Sequence, residues 1–402
     1  MENKSILDQI LLNQKVEEVA KLNAVEIINS LFSELNERES DIIIRRFGLH
    51  GEKKETLENI GNVHNLTRER IRQIETYSIK KLQQLEILEK HLNSLKKIIV
   101  ALIEEHGGLM EKEFLLDVLV KFSLNSGSEI KNENTHKRYL NFLITKLLHN
   151  EFEELNSSKH LLPSYKLKHQ KIDHLEEIVD ELTKAIEEES NTQETETLLR
   201  KAKEDLESYK KHQEKVELPN NIDISSVLLN ELYKENHELI NENKVLYSAL
   251  KAAKKINQNK FGQWGMRDSR EIKPKTVNDK IYLILKFKNE PMHFVEIADE
   301  INKIAFDKKK ANAATVHNEL ILDDKFVLIG RGLYGLKDWG YKRGTVADVI
   351  EEILKESEKG LSRDEIIDEV LKKRMVKKTT IILALMNKDK FAKDNGNYSL
   401  TK

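Results

Sequence analysis

The sequence predicts a mainly α, multidomain chain: a helix-turn-helix domain, then helical segments, then tandem winged helices with short β-hairpin wings. Three observations carry this. Apolar residues recur at helical spacing through most of the 402 residues, in a background of 34% charged and only 6% aromatic side chains. Two amphipathic stretches between Glu55 and Glu75 are broken by the polar pair His64-Asn65. Thr276-Val277-Asn278-Asp279 returns as Thr345-Val346-Ala347-Asp348, the first sign of a duplication.

Composition narrows the function classes. The formal net charge is −2, so any nucleic-acid binding must come from local basic faces rather than a whole-molecule field. Cysteine is absent, which excludes disulfides, cysteine-ligated zinc and thiol catalysis. The start, Met1-Glu2-Asn3-Lys4, lacks a signal-peptide core, and the longest apolar run, Ile98 to Ile103, is far too short to span a bilayer. The expectation is a soluble, cytoplasmic protein of two to four domains. The four prolines punctuate it: Pro163 closes one compact segment, Pro219 splits a charged helical region, Pro274 precedes the C-terminal block and Pro291 sits in a turn within it.

The first domain is expected over residues 1–90. Ile6, Ile10, Leu11 and Val16 suggest a leading helix or a loose arm. Between Glu55 and Leu66, Leu57 and Ile60 mark a short helix. Thr67 is then an N-cap, its hydroxyl able to accept from free first-turn amides. Ile71 and Ile74 fall on one face; Arg68, Glu69, Arg72 and Gln73 fall on the other, paired at i,i+4 as 68/72 and 69/73. In a helix-turn-helix the second helix offers such N-terminal polar residues to the major groove. Arginine forks onto guanine, glutamate accepts from cytosine, and glutamine pairs with adenine. Taken as a charge run alone, the same residues would be a solvated helix face.

The strings Leu35-Asn36-Glu37-Arg38-Glu39, Arg45-Arg46-Phe47-Gly48-Leu49 and Thr67-Arg68-Glu69-Arg70-Ile71-Arg72-Gln73-Ile74-Glu75 resemble the fourth conserved region of bacterial sigma-70 family factors. The resemblance implies a domain that reads a promoter −35 element and rests on the β-subunit flap of RNA polymerase. It implies base reading by Arg68, Glu69, Arg72 and Gln73, with Thr67, Arg70, Lys80 and Lys81 toward the DNA backbone. His64 stands where that family usually has leucine, and Asn65 where it usually has glycine.

Residues 91–168 read as a degenerate winged helix or a plain helical bundle. Helices are expected over Leu95–Glu105, stopped by Gly107-Gly108, over Phe114–Phe122 and over His136–His149; Phe152–Leu155 through Leu161-Leu162 would be the wing. Residues 169–269 read as a charged helical or coiled connector. Leu175, Ile178, Val179, Leu182 and Ile186 form one apolar stripe, Glu187–Thr197 a polar loop, and Leu228, Leu232, Leu239 and Leu246 a second stripe. The cluster Phe261-Gly262-Gln263-Trp264-Gly265 is expected to tuck against a neighbouring domain.

The last two units, 270–342 and 343–402, share their order of signals. Ile284-Leu285-Lys286 recurs as Ile353-Leu354-Lys355, and Glu296-Ile297-Ala298-Asp299-Glu300 as Glu365-Ile366-Ile367-Asp368-Glu369. A third helix opens near Thr315 and again near Thr379-Thr380. Hairpins follow, across Gly330-Arg331-Gly332 and across Asn395-Gly396, the latter a strong two-residue turn signal. The first copy, through Pro291-Met292-His293-Phe294-Val295-Glu296-Ile297-Ala298, Ala314–Leu320 and Gly335-Leu336-Lys337-Asp338-Trp339, resembles the HARE winged helix of the RNA polymerase δ subunit. That resemblance implies binding to polymerase or to DNA. Lys308, Lys309, Lys310, Arg331, Lys372, Lys373, Arg374, Lys377 and Lys378 are the candidate backbone contacts.

No phosphate-cradling glycine loop, zinc-protease helix or nucleophile elbow occurs. The 13 histidines are scattered, and His317 reads as a satisfied surface or core residue. No enzyme activity, cofactor, metal or small-molecule substrate is expected. The expected function is sequence-specific binding of double-stranded promoter DNA in association with core RNA polymerase. Two alternatives remain open: a polymerase-binding factor without DNA reading, and an accessory DNA-binding module of a restriction or modification system.

Overall fold

The computed structural model describes residues 24–401 apart from 126–132, 149–150, 190, 217–236, 342–343, 358, 375 and 395. The expected leading helix with Ile6 to Val16, and the stripe through Leu228 and Leu232, lie outside the described residues. Helices dominate, and the sheets are small and antiparallel. No described helix is long and apolar enough to cross a membrane. The chain forms two compact units: one up to Gln258 with Gly262–Arg267, the other Asn259–Phe261 with Asp268–Lys402.

The first unit opens with α1 (Ala24–Phe32), α2 (Glu37–Phe47), α3 (Leu57–His64) and α4 (Arg68–Gln83). Asn36 and Glu39 form a reciprocal capping box at the start of α2, and Gly48 ends it at φ 66°, a left-handed position suited to glycine. A small core of Ile42, Ile60 and Ile71, ringed by Leu57, Leu66 and Ile74, joins α2, α3 and α4. Truncating one of those fully buried isoleucines to alanine costs about 2–5 kcal/mol.

α5 (Glu86–Glu105) leads to β1 (Leu109–Glu111), α6 (Lys112–Asn125) and α7 (Glu133–Phe142), which runs into a π-turn over Leu143–Leu147. β2 (Phe152–Leu155) and β3 (Ser164–Leu167) follow, and β3 lies between β1 and β2. Helix, strand, helix, helix, hairpin is the winged-helix order. The return strand begins after Pro163 rather than at Leu161-Leu162: Leu161 bridges Ala253, and the Pro163 carbonyl accepts from Lys112 N. Pro163 thus sits inside the unit and does not close it.

The expected boundaries near 90 and 168 fall within one continuous core, which runs from Ala24 through Leu95, Leu140 and Leu182 to Trp264. α8 (Asp173–Glu188) buries the stripe Leu175, Ile178, Val179, Leu182 and Ile186 in it. α9 (Thr195–Asp205), α10 (Glu207–Lys211), α11 (Gln213–Val216), α12 (His237–Glu242) and α13 (Lys244–Ala252) complete the helices, with the hairpin β4 (Ile256–Gln258) and β5 (Trp264–Met266). The described residues of the charged connector up to Gln258 are therefore a packed part of the unit. Trp264, 1% exposed, donates its indole N–H to Thr195 Oγ1 at 2.8 Å.

The second unit contains two copies of one topology. In the first, α14 (Val277–Lys288), β6 (Met292–His293), α15 (Phe294–Ile304) and α16 (Ala313–Leu322) precede β7 (Phe326–Leu328) and β8 (Leu333–Leu336), ordered β6-β8-β7. In the second, α17 (Val346–Glu356), β9 (Leu361–Ser362), α18 (Arg363–Lys373) and α19 (Lys378–Leu385) precede β10 (Phe391–Asp394) and β11 (Asn397–Leu400), ordered β10-β11-β9. Capping boxes recur in register: Thr276 with Asp279 and Thr345 with Asp348, then His293 with Glu296 and Ser362 with Glu365. The third helices start two residues before Thr315 and one residue before Thr379. Asn312 caps α16, whereas Lys377 precedes α19 with no side-chain cap.

Candidate nucleic-acid interface

The turn between α3 and α4 is built by three local devices. Asn65 ends α3 in the left-handed region, φ 55°, and its neighbour Leu66 donates its N–H to the Gly61 carbonyl at 2.9 Å. Gly61 allows that close approach, since an added Cβ would lie 2.6 Å from the Leu66 carbonyl oxygen. Thr67 then caps α4, its Oγ1 accepting from Arg70 N at 3.2 Å. These fix the direction in which α4 leaves the turn.

Ile71 is fully buried and Ile74 packs beside it, so the opposite face of α4 must meet solvent. Arg68, Glu69, Arg70, Arg72 and Gln73 are all exposed there. The side chains pair at i,i+3 and not in the expected i,i+4 pairs. Arg72 Nη2 and Nε donate to the two Glu69 carboxylate oxygens at 2.6 and 2.9 Å, and Arg70 Nη1 donates to Gln73 Oε1 at 3.1 Å. The Arg72 fork holds the Glu69 carboxyl below its usual pKa, and Glu69 in turn raises that of Arg72. Farther along α4, Lys80 is exposed, while Lys81 lies 3.4 Å from the nearly buried carboxylate of Glu39.

Sequence reasoning missed two features. Tyr77, 61% exposed, stands one turn beyond Gln73 on the outer face. His64 does not occupy an apolar socket: its Nε2 lies 2.8 Å from Asp41 Oδ2, which also accepts from Arg45 Nε at 2.9 Å. Arg45 reaches Glu55 at 2.9 Å as well, and these two carboxylates raise its pKa. A polar network therefore ties α3 to α2 at the position where the sigma-70 family usually has leucine. The i,i+4 signal for Tyr77 was present in the sequence; Asp41 gave none.

Residues 31–84 match the family model described as Sigma-70, region 4. Among curated proteins, an RNA polymerase sigma factor SigA1 of Synechococcus elongatus is 45% identical over 67 residues, 17% of this chain and 17% of that one. RNA polymerase sigma factor RpoD of Helicobacter pylori is 54% identical over 57 residues, covering 14% of this chain and 8% of its own length. RNA polymerase sigma factor RpoS of Coxiella burnetii is 33% identical over 85 residues, 20% of this chain and 24% of its own. The chain thus spans less than a quarter of the length of these relatives. No solved structure matches it.

In the second unit the candidate cations are dispersed. Lys308, Lys309 and Lys310 are exposed between α15 and α16, and Arg331 at the β7–β8 turn. Lys377 and Lys378 are exposed at the start of α19. Arg374 does not belong with them, because it is 7% exposed and its Nη2 donates to the Gly344 carbonyl at 2.5 Å. Lys372 and Lys373 pair with Glu369 and Glu356 at 2.6 and 3.1 Å. His317 packs its ring 4.7 Å from that of Phe294, in the role of a core-edge aromatic.

Proposed function

We propose that the chain is a sequence-specific, DNA-binding transcription factor that acts with bacterial RNA polymerase and reads a −35-like promoter element through α4. The observation that carries this reading is the exposed row Arg68, Glu69, Arg72 and Gln73 in the first turns of a helix whose other face is locked by Ile71. Only that row can enter a major groove, and it offers donors and acceptors suited to guanine, cytosine and adenine edges. Thr67, Arg70, Lys80 and Lys81 lie where the backbone contacts of such a helix would fall, with Lys81 first having to leave Glu39.

The sigma-70 region 4 match at residues 31–84 and the similar sigma factors support promoter DNA and core polymerase as the partners, with the β flap as the contact that the family resemblance implies. In this reading the protein is cytoplasmic and has no catalytic role. The two C-terminal winged helices, the first of the HARE kind, add contacts through Lys308, Lys309, Lys310, Arg331, Lys377 and Lys378, to polymerase or to flanking duplex.

The test is equilibrium binding of the full chain to promoter and random duplexes over a range of salt. Promoter affinity should exceed random affinity, and Arg70→Ala, Lys80→Ala and Lys81→Ala should each weaken both alike and lower the log–log salt slope by about one. Equal affinity for both duplexes, alongside retention of core polymerase in a pull-down, would replace this reading with a polymerase-binding factor that reads no DNA.

A further inference from the structure

The third helices of the two C-terminal copies expose surfaces of opposite character. On α16, Asn312, Ala314, Thr315, Asn318, Ile321 and Leu322 face outward, with Ile321 53% and Leu322 79% exposed. Residues 313–324 contain no lysine or arginine and end on Asp323-Asp324. A helix bearing only acids beside an apolar patch is the wrong surface for a phosphate backbone.

On α19, Leu383 and Met386 are each 66% exposed and lie three apart, hence on one face. Residues 377–388 contain no acid, and Lys377, Lys378 and Lys388 are exposed around that face. The two helices are equivalent in their units: Val316 and Leu320 are buried on α16 as Ile381 and Leu385 are on α19. Ile321 and Met386 therefore hold the same position, one residue past the last core leucine, and both point outward. The first patch has an acidic rim in which Asp323 is paired with Lys325 at 3.2 Å, and the second has a basic rim.

We propose that these patches meet between two copies of the chain, α19 of one lying against α16 of the other. Apolar side chains of similar size would face each other, and Lys377, Lys378 and Lys388 would face Glu319, Asp323 and Asp324. A single such contact would propagate into open chains, whereas two reciprocal contacts close a two-fold dimer. One helix-end contact is also well below the roughly 1,200 Å² typical of stable interfaces. The dimer is accordingly weak, and it weakens further as salt screens the rims. Lys377 and Lys378 cannot serve a partner copy and DNA at once, so the test is run without DNA.

Sedimentation of the full chain over a wide concentration range should show self-association that falls at high salt. Leu383→Glu with Met386→Glu, both exposed positions outside the cores, should abolish it. Asp324→Lys alone, and Lys377→Glu with Lys378→Glu, should each weaken it about tenfold. Mixing those last two variants restores the wild-type rims at one of the two contacts, so the mixture should associate more tightly than either variant alone. A wild-type chain that stays monomeric, or a mixture no better than its components, overturns the proposal. So does a Lys377→Glu, Lys378→Glu variant that self-associates normally and loses only duplex affinity.

Discussion

Arg72 grips Glu69 with two parallel N–H donors, Nη2 at 2.6 Å and Nε at 2.9 Å from the two carboxylate oxygens, on a surface where both side chains are more than half exposed. Such an exposed pair contributes little to folding. Its consequence is positional. The fork holds a donor and an acceptor side by side at the start of α4, and the lone pairs and N–H groups not used between them remain for base edges.

The two members of the pair should therefore fail differently. Glu69→Ala removes a negative charge from the approach to DNA and frees Arg72, so random-duplex affinity should rise while the promoter-to-random ratio falls. Arg72→Ala removes a cation and leaves Glu69 facing phosphates, so affinity for both duplexes should fall, and the ratio with it. A lost base contact is worth roughly tenfold or more in that ratio. Competition binding with both duplexes reads each effect; wild-type ratios in both variants would remove α4 from base reading.

Gly61→Ala is expected to damage the turn itself. The new Cβ would stand 2.6 Å from the Leu66 carbonyl, a backbone atom with no rotamer to escape by. The expected cost is about 1–3 kcal/mol of stability, seen as a lower urea midpoint. Promoter preference should also be lost in the fraction that stays folded, because α4 would leave the turn at a new angle. An unchanged midpoint would mean that the α3–α4 approach is looser than the structure places it.

His64→Leu separates two accounts of the same position. Were the site an apolar socket, leucine would stabilise the domain. In the structure His64 bonds Asp41, which Arg45 also holds, so leucine should cost about 0.5–1.5 kcal/mol, the net worth of a hydrogen bond. A double-mutant cycle with Asp41→Asn should give a coupling energy close to the single-variant loss. Stabilisation by leucine, with no coupling, would restore the apolar account.

What was legible in the sequence was local. Thr67 as a cap, Asn65 in a left-handed turn and Ile71 with Ile74 as the buried face all follow from residues within one or two turns of each other. The duplication was legible for the same reason: Thr276 with Asp279 and Thr345 with Asp348 are capping boxes that repeat as short strings. The joins between segments left no such pattern. Arg138 donates to the Gly48 and Glu52 carbonyls, and Tyr139 Oη accepts from His50 N, across some ninety residues. Nothing in the spacing of α7 announces a partner so far away. The glutamate- and lysine-rich run before α9 misled in the opposite direction, because its charges line one face of α8 while the stripe from Leu175 to Ile186 enters the core.

His136 supplies the pH dependence. It sits on α7 with 2% exposure, and its Nε2 has no hydrogen-bond partner among the described residues. Burial lowers its pKa from the ordinary 6.5, since the folded unit disfavours a charge there. Above about pH 7 the ring is neutral in both states and contributes no pH dependence. As pH falls through 6.5 the unfolded chain binds a proton that the folded one refuses, so stability declines until the folded pKa is reached. His174 acts with the same sign, its pKa lowered by burial and by nearby Lys215 and His212. As pH falls below about 7 the first unit should therefore lose stability, with a slope of at most about 1.4 kcal/mol per pH unit for each group. His136→Gln keeps the shape and cannot be protonated in this range, so it should remove one group's share of that slope while His174 keeps the other. Urea unfolding of both proteins across the range decides the matter: identical slopes would mean that His136 takes up its proton without opening the fold.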